Sequence, residues 1–357
     1  KRIPMKDSEF LEYFSRFIEE CPEEEYKPGK PYVVMGDLHA GNGGSRDDMA
    51  RNREIVQTVL GRWYLEKNYQ LILNGDVEDV NKFRYESVRH AWPGLFELFY
   101  AFNEKGQLRK IIGNHDFPLL GIRGYPFELL PGLVLRRNND RIFIFHGHQA
   151  SDRYVKYGKI SELLIRFLLK PLPIHNTSVS RDSRRRFLTE RRVYQAVRGS
   201  GILGISGHTH RPLFESLSKY DNIRFTVENL LAEYDGASKR RKRAIEEKIM
   251  MLREEMTELS SMSKKRRKNQ SLYGDSPFLV PCLFNAGCTT GKHGITVLEM
   301  DDDRISFVYW TDGPNTRPYI TAEALKTDVL DGRWHRYVLH SDKLESLFNR
   351  IKLLGDA

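Results

Sequence analysis

The chain has 357 residues, 40% of them apolar and 11% aromatic, enough to bury one large core or two smaller ones. Its formal net charge of +9 points toward anionic partners such as phosphates, nucleic acid or lipid head groups. No apolar run approaches the ~20 residues of a membrane-spanning helix. Three cysteines (Cys21, Cys282, Cys288) with no C-x-x-C spacing argue against a disulfide framework or a thiolate zinc site, and make a reducing cytoplasm the expected setting.

In chain order, "EFLEYFSRFIEE" predicts an amphipathic helix within residues 1–30, with no signal-peptide h-region before it. A unit then recurs: a short apolar run, a polar break, and a residue able to bind metal. "YVVMGDLH" predicts a strand at 32–35 followed by Asp37 and His39, and "LILNGDVED" a strand at 71–74 followed by Asp76 and Asp79. "RKIIGNHD" predicts a strand at 109–112, then Asn114, His115 and Asp116; "RIFIFHGH" one at 141–145, then His146 and His148. "GILGISGHTHRP" ends the series with His208, His210 and Arg211. Helix-like segments around 47–67 and 86–104 separate the first three units, a β-α-β rhythm. In open α/β sheets ligands sit beyond the carboxyl ends of strands, where all five clusters fall.

Two segments stand apart. Residues 151–200 carry twelve Lys and Arg against four acids, nearly the whole net charge. Within 228–277, Ile245, Ile249, Leu252, Met256 and Leu259 form a short heptad-like seam. That seam packs on its own domain or joins two copies through 240–262. Its KRRKR and KKRRK ends sit in a stretch of nearly balanced charge, which reads as a solvated helix. "FLVPCLFNAGCTTGKHGITVLEM" and "RISFVYW" predict closing strands. The expected organisation is a helix over 1–30, a catalytic domain over 31–310 with inserts at 151–200 and 228–277, and an extension over 311–357.

Asp37, His39, Asp76, Asn114, His146, His208 and His210 form a carboxylate–imidazole–amide set. Such donors suit Mn, Fe, Zn, Co or Ni rather than calcium or a thiolate-bound metal. Seven ligands exceed what one ion with an open position takes, and fit two ions sharing a bridge, for which Asp76 is the central carboxylate. Two adjacent metals can clamp the attacking and leaving oxygens of a displacement at phosphorus.

These five boxes, in order, resemble those of the calcineurin-like metallophosphoesterases: Gly36-Asp37-Leu38-His39, Gly75-Asp76-Val77-Glu78-Asp79, Gly113-Asn114-His115-Asp116, His146-Gly147-His148 and Gly207-His208-Thr209-His210. The resemblance runs over about 31–215, with "NAGCTTG" at 285–291 similar to the family's closing stretch. It implies an α/β fold, a two-layer β-sandwich flanked by helices with helical insertions. It implies two divalent ions, manganese first, one held by Asp37, His39, Asp76 and His210 and the other by Asp76, Asn114, His146 and His208. His115, charged and oriented by Asp79, becomes the acid for the leaving oxygen, and a hydroxide between the ions the nucleophile. Asp116 reads as a cap of the following turn.

Val80 and Asn81 stand where the protein Ser/Thr phosphatases carry Arg-Gly, so a phosphate-gripping arginine is missing there; the expected substitute is Arg211 or an arginine of the basic insert. His148 either contacts substrate or is a satisfied structural histidine. The fourth and fifth boxes look more like the bacterial branch, with some similarity to the UDP-2,3-diacylglucosamine hydrolases, whose cap sits where the basic insert falls here. The expected activity is hydrolysis of a phosphodiester, pyrophosphate or phosphomonoester in an anionic substrate. The alternatives are a nuclease of the same fold, a membrane-surface contact through the basic insert, and a non-catalytic scaffold. The scaffold is disfavoured by the full ligand set, and nucleic acid by the scarcity of stacking aromatics in the insert.

Overall fold

Short runs of branched and aromatic side chains without polar alternation form strands buried on both faces. The computed structural model describes residues 7–151, 183–214, 219–261, 272, 280–314 and 324–355. Helix α1 (Asp7–Glu20) leads into β1 (Glu23–Glu25), and β2 (Tyr32–Met35) and β3 (Gln70–Asn74) follow, buried at every position. Helix α2 (Arg53–Thr58), extended by a π-helical turn at Val59–Leu65, separates them. Helices α3 (Tyr85–Ala91) and α4 (Pro93–Glu104) lead from β3 to β4 (Leu108–Ile111), and β5 (Leu129–Leu130) pairs beside it. Strands β2 to β5 are mutually parallel, the register the helical crossovers enforce.

The next strands start a second sheet. Strands β6 (Leu133–Arg137) and β7 (Asp140–Ile144) form a hairpin, then β8 (Leu203–Ser206) and β9 (Leu283–Asn285) add in parallel. Its order is β1-β6-β7-β8-β9. The larger sheet is completed by β10 (Ile295–Met300), β11 (Arg304–Asp312), β12 (Lys326–Leu330) and β13 (Trp334–Lys343), giving the order β12-β13-β11-β10-β2-β3-β4-β5. In this sheet β13 pairs with β11 along Arg304–Asp312 and carries β12 on its far side.

Alternation within β2 and β3 sorts their side chains into two cores. Val33, Met35, Leu71 and Leu73 pack with Trp63, Phe96 and Phe99 under the crossover helices. Val34, Ile72 and Ile111 belong instead with Ile142, Ile144, Leu203 and Ile205 of the smaller sheet. The two sheets are therefore layers of one sandwich. On α1, Phe14 meets Phe143 and Phe145 edge-on at 5.8 and 5.3 Å, so this helix covers the smaller sheet. Each such buried ring contributes about 1.5–3 kcal/mol.

Helix α5 (Ser183–Gly199) lies in the basic insert, whose residues 152–182 fall outside the described set. Helices α6 (Lys219–Tyr234) and α7 (Lys239–Ser261) pack on each other, and α8 (Leu344–Leu354) closes the chain against β13. Of the heptad-like seam on α7, Ile245 and Leu252 are buried and Ile249 and Met256 half-buried within this chain. The Leu259 side chain and the KKRRK run at 264–268 lie outside the described residues.

Candidate metal centre

Five loops leave the carboxyl ends of β2, β3, β4, β7 and β8 on one edge of the sandwich. The turns are tight enough to force non-glycine residues into the left-handed region: Asp37 (φ 52°), His39 (52°), Asp76 (51°), His208 (68°) and His210 (56°). Each costs on the order of 1–2 kcal/mol relative to ordinary backbone. Among the described residues the other non-glycine cases are Asn68, Asn138 and Asp331, types that tolerate this region in turns. Strain in five side chains of one cluster is held by the surrounding fold, the signature of a functional site. Two glycines permit the close approach of these loops. A Cβ on Gly113 would lie 2.2 Å from Asp76 Oδ1, and one on Gly75 2.4 Å from His146 Nδ1.

The two central carboxylates divide their oxygens in the same way. Asp37 Oδ2 accepts from the His208 N–H at 3.0 Å, which leaves Oδ1 facing His210 Nε2 at 3.2 Å and His39 Nε2 at 3.9 Å. Asp76 Oδ1 accepts from the His115 N–H at 2.7 Å, which leaves Oδ2 facing His146 Nε2 at 3.1 Å and His39 Nε2 at 3.8 Å. One oxygen of each is thus fixed by backbone and the other is aimed into the site. The His146 Nδ1–H donates to the Asn74 carbonyl at 2.9 Å, so its Nε2 is the atom presented. The result is two adjoining groups, Asp37–His39–His210 and Asp76–His146–His208, each with its ligand atoms within 4.8 Å of one another. His39, 3.0 Å from His210 through Nε2, stands between them. Asn114 follows β4 at the same edge, its Oδ1 buried and outside hydrogen-bond geometry, as are Asp37 Oδ1 and His146 Nε2.

This donor set fits divalent cations. Burial alone would push the Asp37 and Asp76 carboxyls up, yet His210 beside the one and His146 beside the other hold both below the usual carboxylate range. The same pairings act on the imidazoles. Burial opposes charge on His146 and His210, but Asp76 lifts the first to about 9 and Asp37 the second to about 11. Burial, against the pull of Asp76, takes His39 down to about 4, and burial with the His146 charge takes His208 down to about 3. The two buried carboxylates thus draw positive charge into the site, and carboxylate with imidazole is the donor set for Mn, Fe, Co, Ni or Zn.

A third group, His39–Asp79–His115, adjoins these. Asp79 Oδ1 lies 2.8 Å from His115 Nδ1. Burial opposes charge on the His115 ring, but the Asp76 and Asp79 carboxylates more than offset it and raise its pKa. His115 remains partly open to solvent while Asp79 is buried.

The remaining sequence candidates sit elsewhere. Arg211 pairs with buried Glu190 of α5, its Nε donating to Oε1 at 3.1 Å and a terminal nitrogen forming an ion pair with Oε2 at 2.5 Å. His148 is buried behind His146 and against the ring of Phe117, and it belongs to none of the three groups. Asp116 does not cap its turn. Its carboxylate accepts the N–H groups of Val77, Glu78 and Gly113 at 2.8, 3.1 and 3.0 Å, tying the third loop to the second. Sequence reasoning also passed over three neighbours: Lys82, whose Nζ is 2.6 Å from Asp79 Oδ2; Glu190; and Cys288, whose sulfur lies against the His210 ring. A lysine three residues after Asp79 was a legible signal, whereas the other two contacts span 21 and 78 residues.

The calcineurin-like phosphoesterase family profile matches residues 30–212, just over half of the chain. The chain belongs to that family. A metal-dependent phosphoesterase family is the setting in which the Asp and His groups above could hold ions. No curated protein matches the chain significantly. Among solved structures, a predicted phosphoesterase from Streptococcus pneumoniae TIGR4 aligns at 16% identity and TM-score 0.28, covering 79% of this chain and 89% of that one. The E. coli phosphoesterase YfcE aligns at 12% and 0.31, over 77% of this chain and 91% of that one. Vps29 from Entamoeba histolytica aligns at 13% and 0.30, over 88% and 99%. At these scores the likenesses add nothing to the family membership, which rests on residues 30–212.

Proposed function

We propose that this calcineurin-like phosphoesterase is an active hydrolase that uses two divalent ions, manganese first, to cleave a phosphoester or pyrophosphate bond. The observation that carries the reading is the pair of adjoining groups, Asp37–His39–His210 and Asp76–His146–His208, built on strained backbone with one carboxylate oxygen of each aspartate held by an N–H and the other left for a cation. Asp37, His39, Asp76 and His210 would hold one ion, and Asp76, Asn114, His146 and His208 the other. When bound, such ions polarise phosphoryl oxygens and supply a nucleophile from water near neutral pH.

The chain's own residues supply the proton traffic. His115 presents Nδ1 to Asp79, which leaves Nε2 to donate a proton to the departing oxygen. Asp79 holds that tautomer and stabilises the charged ring, as a buried carboxylate does behind a catalytic imidazole. The substrate is anionic. The basic insert reaches the edge of the site through the Glu190–Arg211 pair and through Arg192, which donates to the Ala150 carbonyl at 3.1 Å beside the fourth loop. Arg211 itself is engaged by Glu190, so substrate contact falls to cations of the insert.

The test is turnover of p-nitrophenyl phosphate and bis-p-nitrophenyl phosphate with added Mn²⁺, with Asp76→Asn as control. Turnover that disappears in the control supports the reading, and the preferred substrate separates monoesterase from diesterase. Wild-type protein that binds Mn²⁺ and cleaves neither ester, nor a panel of pyrophosphate-linked nucleotides, would sink it in favour of a scaffold.

A further inference from the structure

We propose that Lys82 is a positioning residue for the proton donor His115, acting through the ammonium it sets against the Asp79 carboxylate; this rests on the hydrolase reading above. The turn after the second box folds back on itself, with the N–H groups of Lys82 and Phe83 both donating to the Asp79 carbonyl at 3.1 and 3.0 Å. That turn sets the Lys82 ammonium 2.6 Å from Asp79 Oδ2, opposite the oxygen that meets His115. The approach lies outside hydrogen-bond geometry, so the contact is an ion pair. Lys82 also donates to Asp48 Oδ2 at 2.9 Å, which anchors it to the glycine-rich loop at the rim.

Asp79 is buried, and its two oxygens have different duties: Oδ1 meets the His115 ring at 2.8 Å and Oδ2 meets Lys82 at 2.6 Å. His39 Nδ1 stands 3.9 Å from Oδ2 on the other side. Without the ammonium, the His39 ring is what remains within ion-pair distance of Oδ2 among the described residues, and the carboxylate is free to rotate toward it and away from His115. A cation half open to solvent at the mouth of the site would then keep the donor aligned for protonating the leaving oxygen. Lys82 occupies this place two residues after the Val80 that stands where related phosphatases carry an arginine.

The experiment compares wild type, Lys82→Met and Lys82→Arg in the Mn²⁺-loaded full chain on phenyl phosphate and p-nitrophenyl phosphate, with metal content measured for each. General-acid assistance matters most for the poorer leaving group, so Lys82→Met should lose about tenfold in kcat on phenyl phosphate and less than about twofold on p-nitrophenyl phosphate. Lys82→Arg should restore most of the loss, and metal content should not change. A parallel measurement needs neither metal nor turnover. The proton NMR spectrum of the metal-free protein should show a slowly exchanging imidazole N–H, assigned by its disappearance in His115→Gln, that shifts or broadens in Lys82→Met and not in Lys82→Arg. Equal losses on both esters, or an unmoved His115 resonance, would overturn the proposal. If wild type cleaves neither monoester, the hydrolase reading is decided by the diester and the pyrophosphate panel, and the NMR comparison still decides by itself whether Lys82 positions His115.

Discussion

At the scale of single residues, the site is a set of carboxylates in which both oxygens of each have a fixed task. Asp116 is the extreme case: buried, within two residues of the proposed ligand Asn114, and accepting three backbone N–H groups from two different loops. An asparagine there offers one acceptor oxygen and a donor in place of the second, so one buried N–H loses its partner. We expect Asp116→Asn to cost about 1–3 kcal/mol of stability, the ordinary penalty for an orphaned buried polar group, and to loosen the second loop against the third. Denaturant unfolding would measure the first effect. The second should appear as weaker Mn²⁺ binding, because Asp76 sits on the loop that Asp116 restrains. Full stability in Asp116→Asn would mean that the three N–H groups find other acceptors and that the clamp is dispensable.

At the scale of elements, helix α5 meets the edge of the site through Arg192 on the Ala150 carbonyl and through the Glu190–Arg211 pair. Glu190 is almost wholly buried and Arg211 about one-third exposed, so removing the arginine strands a charge while removing the glutamate leaves a cation that can reach water. Arg211→Ala should therefore destabilise more than Glu190→Ala, by about 3 kcal/mol against about 1 kcal/mol, read as midpoints of thermal unfolding. The reverse order would show that α5 packing, and not the ion pair, holds the helix. Much of this level was legible beforehand. The strand ends after β2, β3, β7 and β8 announce themselves because a buried strand is mostly apolar and its exit here must be polar, whereas β4 carries Arg109 and a Lys110 buried against Glu78. What stayed hidden is what no local pattern encodes. Glu190 finds Arg211 only because α5 folds back, and Asp116 reaches Val77 and Glu78 across 39 and 38 residues. The left-handed backbone at Asp37, His39, Asp76, His208 and His210 also contradicts residue preference, since tertiary contacts override it.

At the scale of the whole molecule, the centre is a seam between two sheets. Asp37, His39, Asp76 and Asn114 come from loops of the larger sheet, and His146, His208 and His210 from loops of the smaller one. An ion held by Asp76 and His146, or by Asp37 and His210, therefore clips one layer of the sandwich to the other. Ions that bind the folded chain and not the unfolded one stabilise by mass action, about 2.7 kcal/mol per site at a hundredfold excess over Kd. We expect Mn²⁺ to raise the thermal midpoint of the wild type by several degrees and to raise that of Asp76→Asn far less, because the variant loses the carboxylate that faces both groups. A chelator should return the wild type to its metal-free midpoint. Because the clip joins the sheets, the metal should also steepen the transition, drawing the unfolding of the smaller sheet into that of the larger. A Mn²⁺ shift of equal size in Asp76→Asn would place the ion outside these two groups.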